Sequence, residues 1–307
     1  MSSRKLGPAI LHSVSYSGSW GQAFLSLDEF LARAAGLGFQ GVMLMAKRPH
    51  LSPLDYDAAA RERLRNRLDS LGLRTICLAG YTNFTCDLQH TEIPHREIQI
   101  QYVVELARLT AGIGGNLVRV FTGYDHPASS HLPQWNMVVA ALKECAQRTA
   151  HLGVTIGVQN HHDVGVDYQS MFDLIQAIGE PNCRALYDAW APALQEQDLV
   201  AAAALMAPVT AHTTIADYQL RPRYRYNAPV INYVPQTPYA QAVPMGEGFI
   251  DYEGFLRSML EHGFSGSLAY EMCSPLLGGG SLENLDRYAR KFLEYMERFR
   301  ARTMAAG

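Results

Sequence analysis

From Ala9 to the end of the chain, short apolar runs alternate with longer amphipathic ones, and the alternation repeats eight times without a linker. Such a pattern calls for a parallel sheet with crossover helices. Ala9-Ile10-Leu11-His12 reads as the first strand. Ser26 and Glu29 then form a capping box ahead of Phe30, Leu31 and Ala34 at helical spacing, and Gly36 and Gly38 stop that helix. Strands follow at Gly41–Met45, Thr75–Ala79, Leu117–Phe121, Val154–Val158, Arg184–Tyr187, Pro208–Ala211 and from about Ser267. Helices are expected over about Asp57–Leu71, Pro94–Ala111, Pro133–Leu152, Ser170–Ile178, Asp198–Met206 and Leu282–Arg300. Eight strand–helix units make a single (β/α)8 barrel over residues 1–307 the economical reading, with a doubly wound open sheet as the alternative.

The 307 residues suit one large barrel, and 48% hydrophobic content can fill its core. A net charge of −3 leaves no electrostatic footprint for nucleic acid. No apolar run is long enough to span a membrane, and Met1–Gly7 has no signal-peptide core. Five scattered cysteines without a C-x-x-C pair read as reduced thiols of a cytoplasmic protein.

Four apolar runs in the second half end on a polar residue: Gln159, Asp188, His212 and Glu271. In a parallel barrel the carboxyl ends of the strands converge on one mouth, so these side chains are candidates for one site. Two carboxylates, an imidazole and an amide oxygen suit a divalent ion of intermediate hardness, Mn²⁺ before Mg²⁺, Co²⁺ or Zn²⁺. The stretch Asp217–Val243 breaks the rhythm. It carries Tyr218, Tyr224, Tyr226, Tyr233 and Tyr239 with Arg221, Arg223, Arg225 and prolines, and reads as a long irregular insertion. It is expected either to overhang the mouth or to contact a partner, a second copy or a small second subunit.

The segments VTIGVQNHHD from Val154, CRALYDAWAPAL from Cys183, VTAHTTIADY from Val209, GEGFIDYEGFLRSM from Gly246 and GSLAYEMC from Gly266 stand in order over most of the chain. Together they resemble the sugar phosphate isomerase/epimerase superfamily, the xylose-isomerase-like barrels. That resemblance implies a divalent metal held by residues at the ends of strands five to eight, here Gln159, Asp188, His212 and Glu271. It also implies a small carbohydrate as substrate. Two departures stand out. Gln159 replaces the glutamate of the family's strand-five motif, and Ala191 stands where many members carry a second histidine. Family epimerases use the strand-five and strand-eight glutamates as paired proton-transfer groups, and an amide cannot accept a proton at neutral pH.

With Gln159 as a ligand the ion would face two negative charges instead of three and keep more Lewis acidity. Gln159 could equally be a hydrogen bonder behind a three-residue site. The base is then sought nearby. On an extended strand end His161 shares the face of Gln159 while His162 points away, so His161, with a near-neutral pKa, is the candidate base beside Glu271. Asn160, His162, Arg221, Arg223 and Tyr224 are the candidate substrate-binding residues. Gly246-Glu247-Gly248 reads as a chain reversal, and Gly278-Gly279-Gly280 as either a phosphate loop or a turn. The expected activity is enolisation of a keto sugar or polyol-derived substrate by an isomerase or epimerase. The alternatives are a lyase eliminating a group from a 3-keto sugar, as C-glycoside deglycosidases do, and a barrel that only binds carbohydrate.

Overall fold

A computed structural model describes residues 5–305; Met1–Arg4, part of the segment read as lacking a leader, lie outside it. Eight strands close into a parallel barrel: β1 (Ala9–His12), β2 (Gly41–Met45), β3 (Thr75–Ala79), β4 (Leu117–Val120), β5 (Thr155–Gln159), β6 (Cys183–Leu186), β7 (Thr210–Ile215) and β10 (Ser267–Tyr270). Around the wall their order is β1-β10-β7-β6-β5-β4-β3-β2. Helices α1 (Leu27–Leu37), α2 (Ala58–Ser70), α3 (His95–Gly112), α4 (His131–Thr149), α5 (Tyr168–Ile178), α6 (Trp190–Leu194), α7 (Leu199–Met206), α8 (Tyr252–Glu261) and α9 (Leu282–Ala305) surround it. The single closed barrel expected from the alternation is therefore present, and the open sheet is not.

Local chemistry sets the boundaries. Ser26 caps α1 through a complete capping box with Glu29, worth about 1 kcal/mol. Asp57, Asp167, Asp198 and Asp251 do the same for α2, α5, α7 and α8 by accepting backbone N–H bonds. Outward strand residues such as Val118, Val120, Ile156 and Val158 join the large core under the helices. Inward residues Ile10, Met43, Cys77, Ala79, Leu117, Leu186 and Ala269 fill the barrel as a separate apolar plug.

The insertion is not irregular. It is a two-stranded antiparallel hairpin of β8 (Asp217–Asn227) and β9 (Asn232–Val243), paired from Asp217↔Val243 to Asn227↔Asn232. Its prolines are tolerated because both strands are edges, where a missing N–H breaks no ladder bond. The register shifts between Arg221 and Arg223, at Pro222, and Ile231 turns the tip with φ +48°. At its base Asp217 is buried and accepts N–H bonds from Gly246 and Gly248 at 2.9 Å each. The glycine turn is thus a cradle for an anion of the protein itself. A Cβ at Gly248 would lie 1.9 Å from the Asp217 carboxylate. The Gly278–Gly280 segment is a turn pinned by Asn284, which donates to the carbonyls of Leu277 and Gly279.

Candidate active site

Above the apolar plug, the carboxyl ends of the strands enclose a cavity of about 370 Å³. Gln159 from β5, Asp188 after β6, Thr214 from β7, Glu271 after β10 and Arg119 from β4 supply its polar wall, and Tyr81, Phe121, Trp20, Trp190 and Tyr218 much of its rim.

Gln159, Asp188 and Thr214 form one buried network. Gln159 Nε2 donates to Asp188 Oδ2 at 2.7 Å and to Thr214 Oγ1 at 3.1 Å, and Thr214 Oγ1 donates to the same Oδ2 at 3.0 Å. Asp188 Oδ1 accepts from the backbone N–H of Trp190, which opens α6. Asn160 staples the two strand ends from behind: its Nδ2 donates to the Asp188 carbonyl and its Oδ1 accepts the Asp188 N–H. Asn160 therefore positions Asp188 rather than lining the cavity. Burial pushes the Asp188 pKa up, and the donors from Gln159, Thr214 and Trp190 oppose that push.

Glu271 is different. The imidazole of His12 lies beside it, with Nε2 3.7 Å from Oε1. His12 Nδ1 accepts the N–H of Val14, so the neutral ring carries its hydrogen on Nε2, facing the carboxylate. Burial raises the Glu271 pKa to about 7, with the Arg119 charge pulling it down and Asp188 pushing it up. A carboxyl poised there can give or take a proton near neutral pH.

Arg119 is the largest fully buried side chain, at 1% exposure. Its guanidinium carbon sits 3.9 Å from the Phe121 ring centroid and 5.0 Å from that of Tyr81. Cation–π contact of this kind offsets only about 0.5–2 kcal/mol of lost hydration. Among the described residues no carboxylate lies within 4.0 Å of it, and its Nε has no hydrogen-bond partner. Gln159 Oε1 is likewise buried and unpaired. Both residues line the cavity, and each keeps one polar atom in its wall, out of contact with solvent and without a partner.

The four residues expected to hold an ion are not brought together. β7 runs on past Ala211 to Ile215, so His212 is its third residue and Thr214 takes the inward position beside Asp188. His212 pairs with Ser267, four residues before Glu271, which places it about 13 Å lower along the strand direction. There its Nδ1 meets Ser267 Oγ at 2.7 Å, and burial with the Arg119 charge lowers its pKa to about 3. Gln159 turns its amide nitrogen, not its oxygen, toward Asp188. Among the described residues no three of His, Cys, Asp and Glu are grouped to hold a metal ion. The donor set does not fit the divalent ion expected from the sequence, and the fixed positive charge of the mouth is a guanidinium.

His161 lines the cavity, its ring 4.6 Å from Phe121, but burial and then the Arg119 charge hold its pKa at about 4 instead of near neutrality. His162 takes a left-handed backbone, φ +70°, and stacks on Tyr124 at 4.0 Å behind the wall. Arg221, Arg223 and Tyr224 lie out on the hairpin, Tyr224 being 62% exposed, and none reaches the cavity. From that hairpin only Tyr218, at its base, lines the site. Arg119 and His12 each stand within an apolar strand run of the sequence, where the side they face depends on register. The β-branched run Thr213-Thr214-Ile215 was the available signal that β7 continues past His212.

A family profile for xylose isomerase-like TIM barrels matches residues 31–298, and the chain belongs to that family. Among solved structures it is similar to an L-ribulose 3-epimerase, with 18% identity and a TM-score of 0.73 over 98% of this chain and 97% of that one. It is also similar to a D-allulose 3-epimerase from Methylomonas sp. in complex with D-allulose, at 16% identity and TM-score 0.69 over 97% and 99% of the two chains. A D-psicose 3-epimerase from Clostridium cellulolyticum H10 with D-tagatose matches at 14% identity and TM-score 0.70 over 95% and 99%. No curated protein sequence matches the chain.

Proposed function

We propose that this barrel is an enzyme of the sugar isomerase/epimerase type, moving a proton on a carbon next to the carbonyl of a keto sugar, with Glu271 as the acid and base. The observation that carries the reading is Glu271 itself. It is a partly buried carboxyl at the catalytic end of the barrel, with its pKa raised to about 7 and a cavity of about 370 Å³ in front of it. The volume suits a monosaccharide-sized ligand, and the tyrosine and tryptophan rings around it suit a sugar's C–H faces. The names of the three similar structures given above, ketose 3-epimerases, support the substrate class.

One detail narrows the chemistry. Asp188 is occupied by Gln159, Thr214 and the Trp190 N–H, so Glu271 is the one cavity carboxylate among the described residues without a hydrogen-bond donor on it. A single base can carry a proton between neighbouring carbons on one face of an enediol. It can also start elimination of a group β to a ketone. Inverting a carbon needs a second group on the opposite face, which Gln159 cannot supply. Isomerisation is therefore the first reading and lyase action on a 3-keto sugar the second. His161, held neutral, serves as a polar wall contact. Five unpaired cysteines, four of them buried, suit the reducing cytoplasm.

The test is exchange in heavy water. Purified protein incubated with a panel of ketoses and 3-keto glycosides should introduce deuterium next to the carbonyl, detected by NMR. A panel with no exchange and no elimination product contradicts the reading.

A further inference from the structure

The geometry points to Arg119 as the electrophile of this site: its guanidinium takes the carbonyl oxygen of the substrate and holds the negative charge that forms there when Glu271 removes the neighbouring proton. This rests on the proton-transfer reading above and names the residue that makes it possible.

Four observations carry it. Arg119 is buried, lines the cavity, and has an Nε without a partner. Two aromatic rings, Phe121 and Tyr81, pack against the guanidinium, at 3.9 and 5.0 Å from its carbon. Three strands lie between β4 and β10 in either direction around the wall, so Arg119 and Glu271 approach a ligand from opposite sides. Finally, three of the four residues that would have held an ion are otherwise engaged, with Gln159 and Thr214 bonded to Asp188 and His212 seated below against Ser267. Electrophilic assistance still has to come from a fixed positive charge aimed at the developing oxyanion. Arg119 is that charge.

The step balances on the groups present. The C–H bond breaks, its proton passes to the Glu271 carboxylate, and its electron pair forms the C=C bond while the carbonyl π pair moves onto oxygen. Guanidinium N–H groups donate to that oxygen. In an isomerisation the neighbouring hydroxyl gives its proton to the enolate oxygen, the new carbonyl forms, and Glu271 returns its proton to the adjacent carbon. Nothing is oxidised, and no further reactant is required.

The test uses the whole protein dialysed against EDTA, with its metal content checked by elemental analysis. D-ribonate, whose carboxylate oxygen stands in for the charged enolate oxygen, is titrated while the fluorescence of Trp20 and Trp190 in the cavity wall is followed. Wild type is expected to bind equally with and without added Mn²⁺. Arg119→Met should weaken binding by about tenfold or more, with Arg119→Lys in between because it keeps the charge and loses the planar fork. Melting curves report whether each variant folds; if Arg119→Met does not, the loss in Arg119→Lys and the Mn²⁺ independence of wild type decide the matter. The assignment is overturned by wild type that fails to bind ribonate, by binding that requires Mn²⁺, or by a folded Arg119 variant that binds like wild type. Exchange in heavy water separates the two claims. If no ketose exchanges while ribonate binding still depends on Arg119, the isomerase reading fails and the cation site stands. If exchange persists at the wild-type rate in folded Arg119→Met, the electrophile assignment fails and the isomerase reading stands.

Discussion

Arg119 on β4 and Glu271 beyond β10 face one cavity from opposite walls of the barrel, and the Arg119 charge pulls the Glu271 pKa down against the push of burial. A donor and a proton acceptor held apart in this way leave a ligand one orientation in which its carbonyl oxygen and the neighbouring C–H are both served. The chemistry follows from that separation.

Glu271→Gln removes the proton acceptor and keeps the shape. Exchange activity should fall by roughly 10²–10⁴-fold. Circular dichroism should be unchanged.

The pH dependence has a definite sign. Glu271 must be ionised to take a proton, so kcat/KM should rise through about pH 7. Stability runs the other way. A carboxyl whose folded pKa is raised above its unfolded value stabilises the fold fully below the unfolded value of 4.5, and loses that contribution as pH climbs through about 7. Between about pH 5 and 8 the melting midpoint of wild type should therefore drop more than that of Glu271→Gln. Parallel curves would place the ionisation elsewhere. No second inflection from His161 is expected above pH 5, since its pKa lies at about 4.

Gln159→Glu sets a carboxylate against Asp188 Oδ2, where an amide N–H now donates at 2.7 Å. A lost buried hydrogen bond and like charges at that distance should cost about 1–3 kcal/mol unless the pair shares a proton. The variant should melt a few degrees lower than wild type. Gln159→Leu should also lose stability, because Asp188 Oδ2 then keeps only Thr214 as a donor.

The hairpin beyond Gln219 and Gln241 stands clear of the cavity, and its base is closed by Asp217 against the Gly246–Gly248 turn. Replacing Leu220–Ala240 by a short turn should leave ribonate binding and the melting midpoint unchanged. An isolated two-stranded hairpin is marginal in water, and this one exposes Tyr226, Val230, Ile231 and Tyr233. Light scattering is therefore expected to show self-association in the full chain and its loss in the shortened one.

The barrel was legible because its signals are local: a capping box at Ser26, glycine stops, and apolar runs of strand length repeated in register. Asp188 and Glu271 were legible as strand-end carboxylates for the same reason. What escaped depended on register, which a sequence does not display. A strand that continues to Ile215 instead of ending at Ala211 exchanges His212 for Thr214 at the mouth. Arg119 sits in the middle of an apolar strand, and only pairing with Ala79 and Gly157, which fixes its row, turns it into the site. The hairpin was hidden by its prolines, which argue against a strand everywhere except at an edge.

The most direct measurement is deuterium incorporation from heavy water into ketoses by EDTA-treated wild-type protein of verified metal content, with Glu271→Gln as control. Incorporation next to the carbonyl without added metal, abolished in the control, is the expected result. Exchange that appears only after a divalent ion is restored, or that survives in Glu271→Gln, would contradict the site built from Arg119 and Glu271.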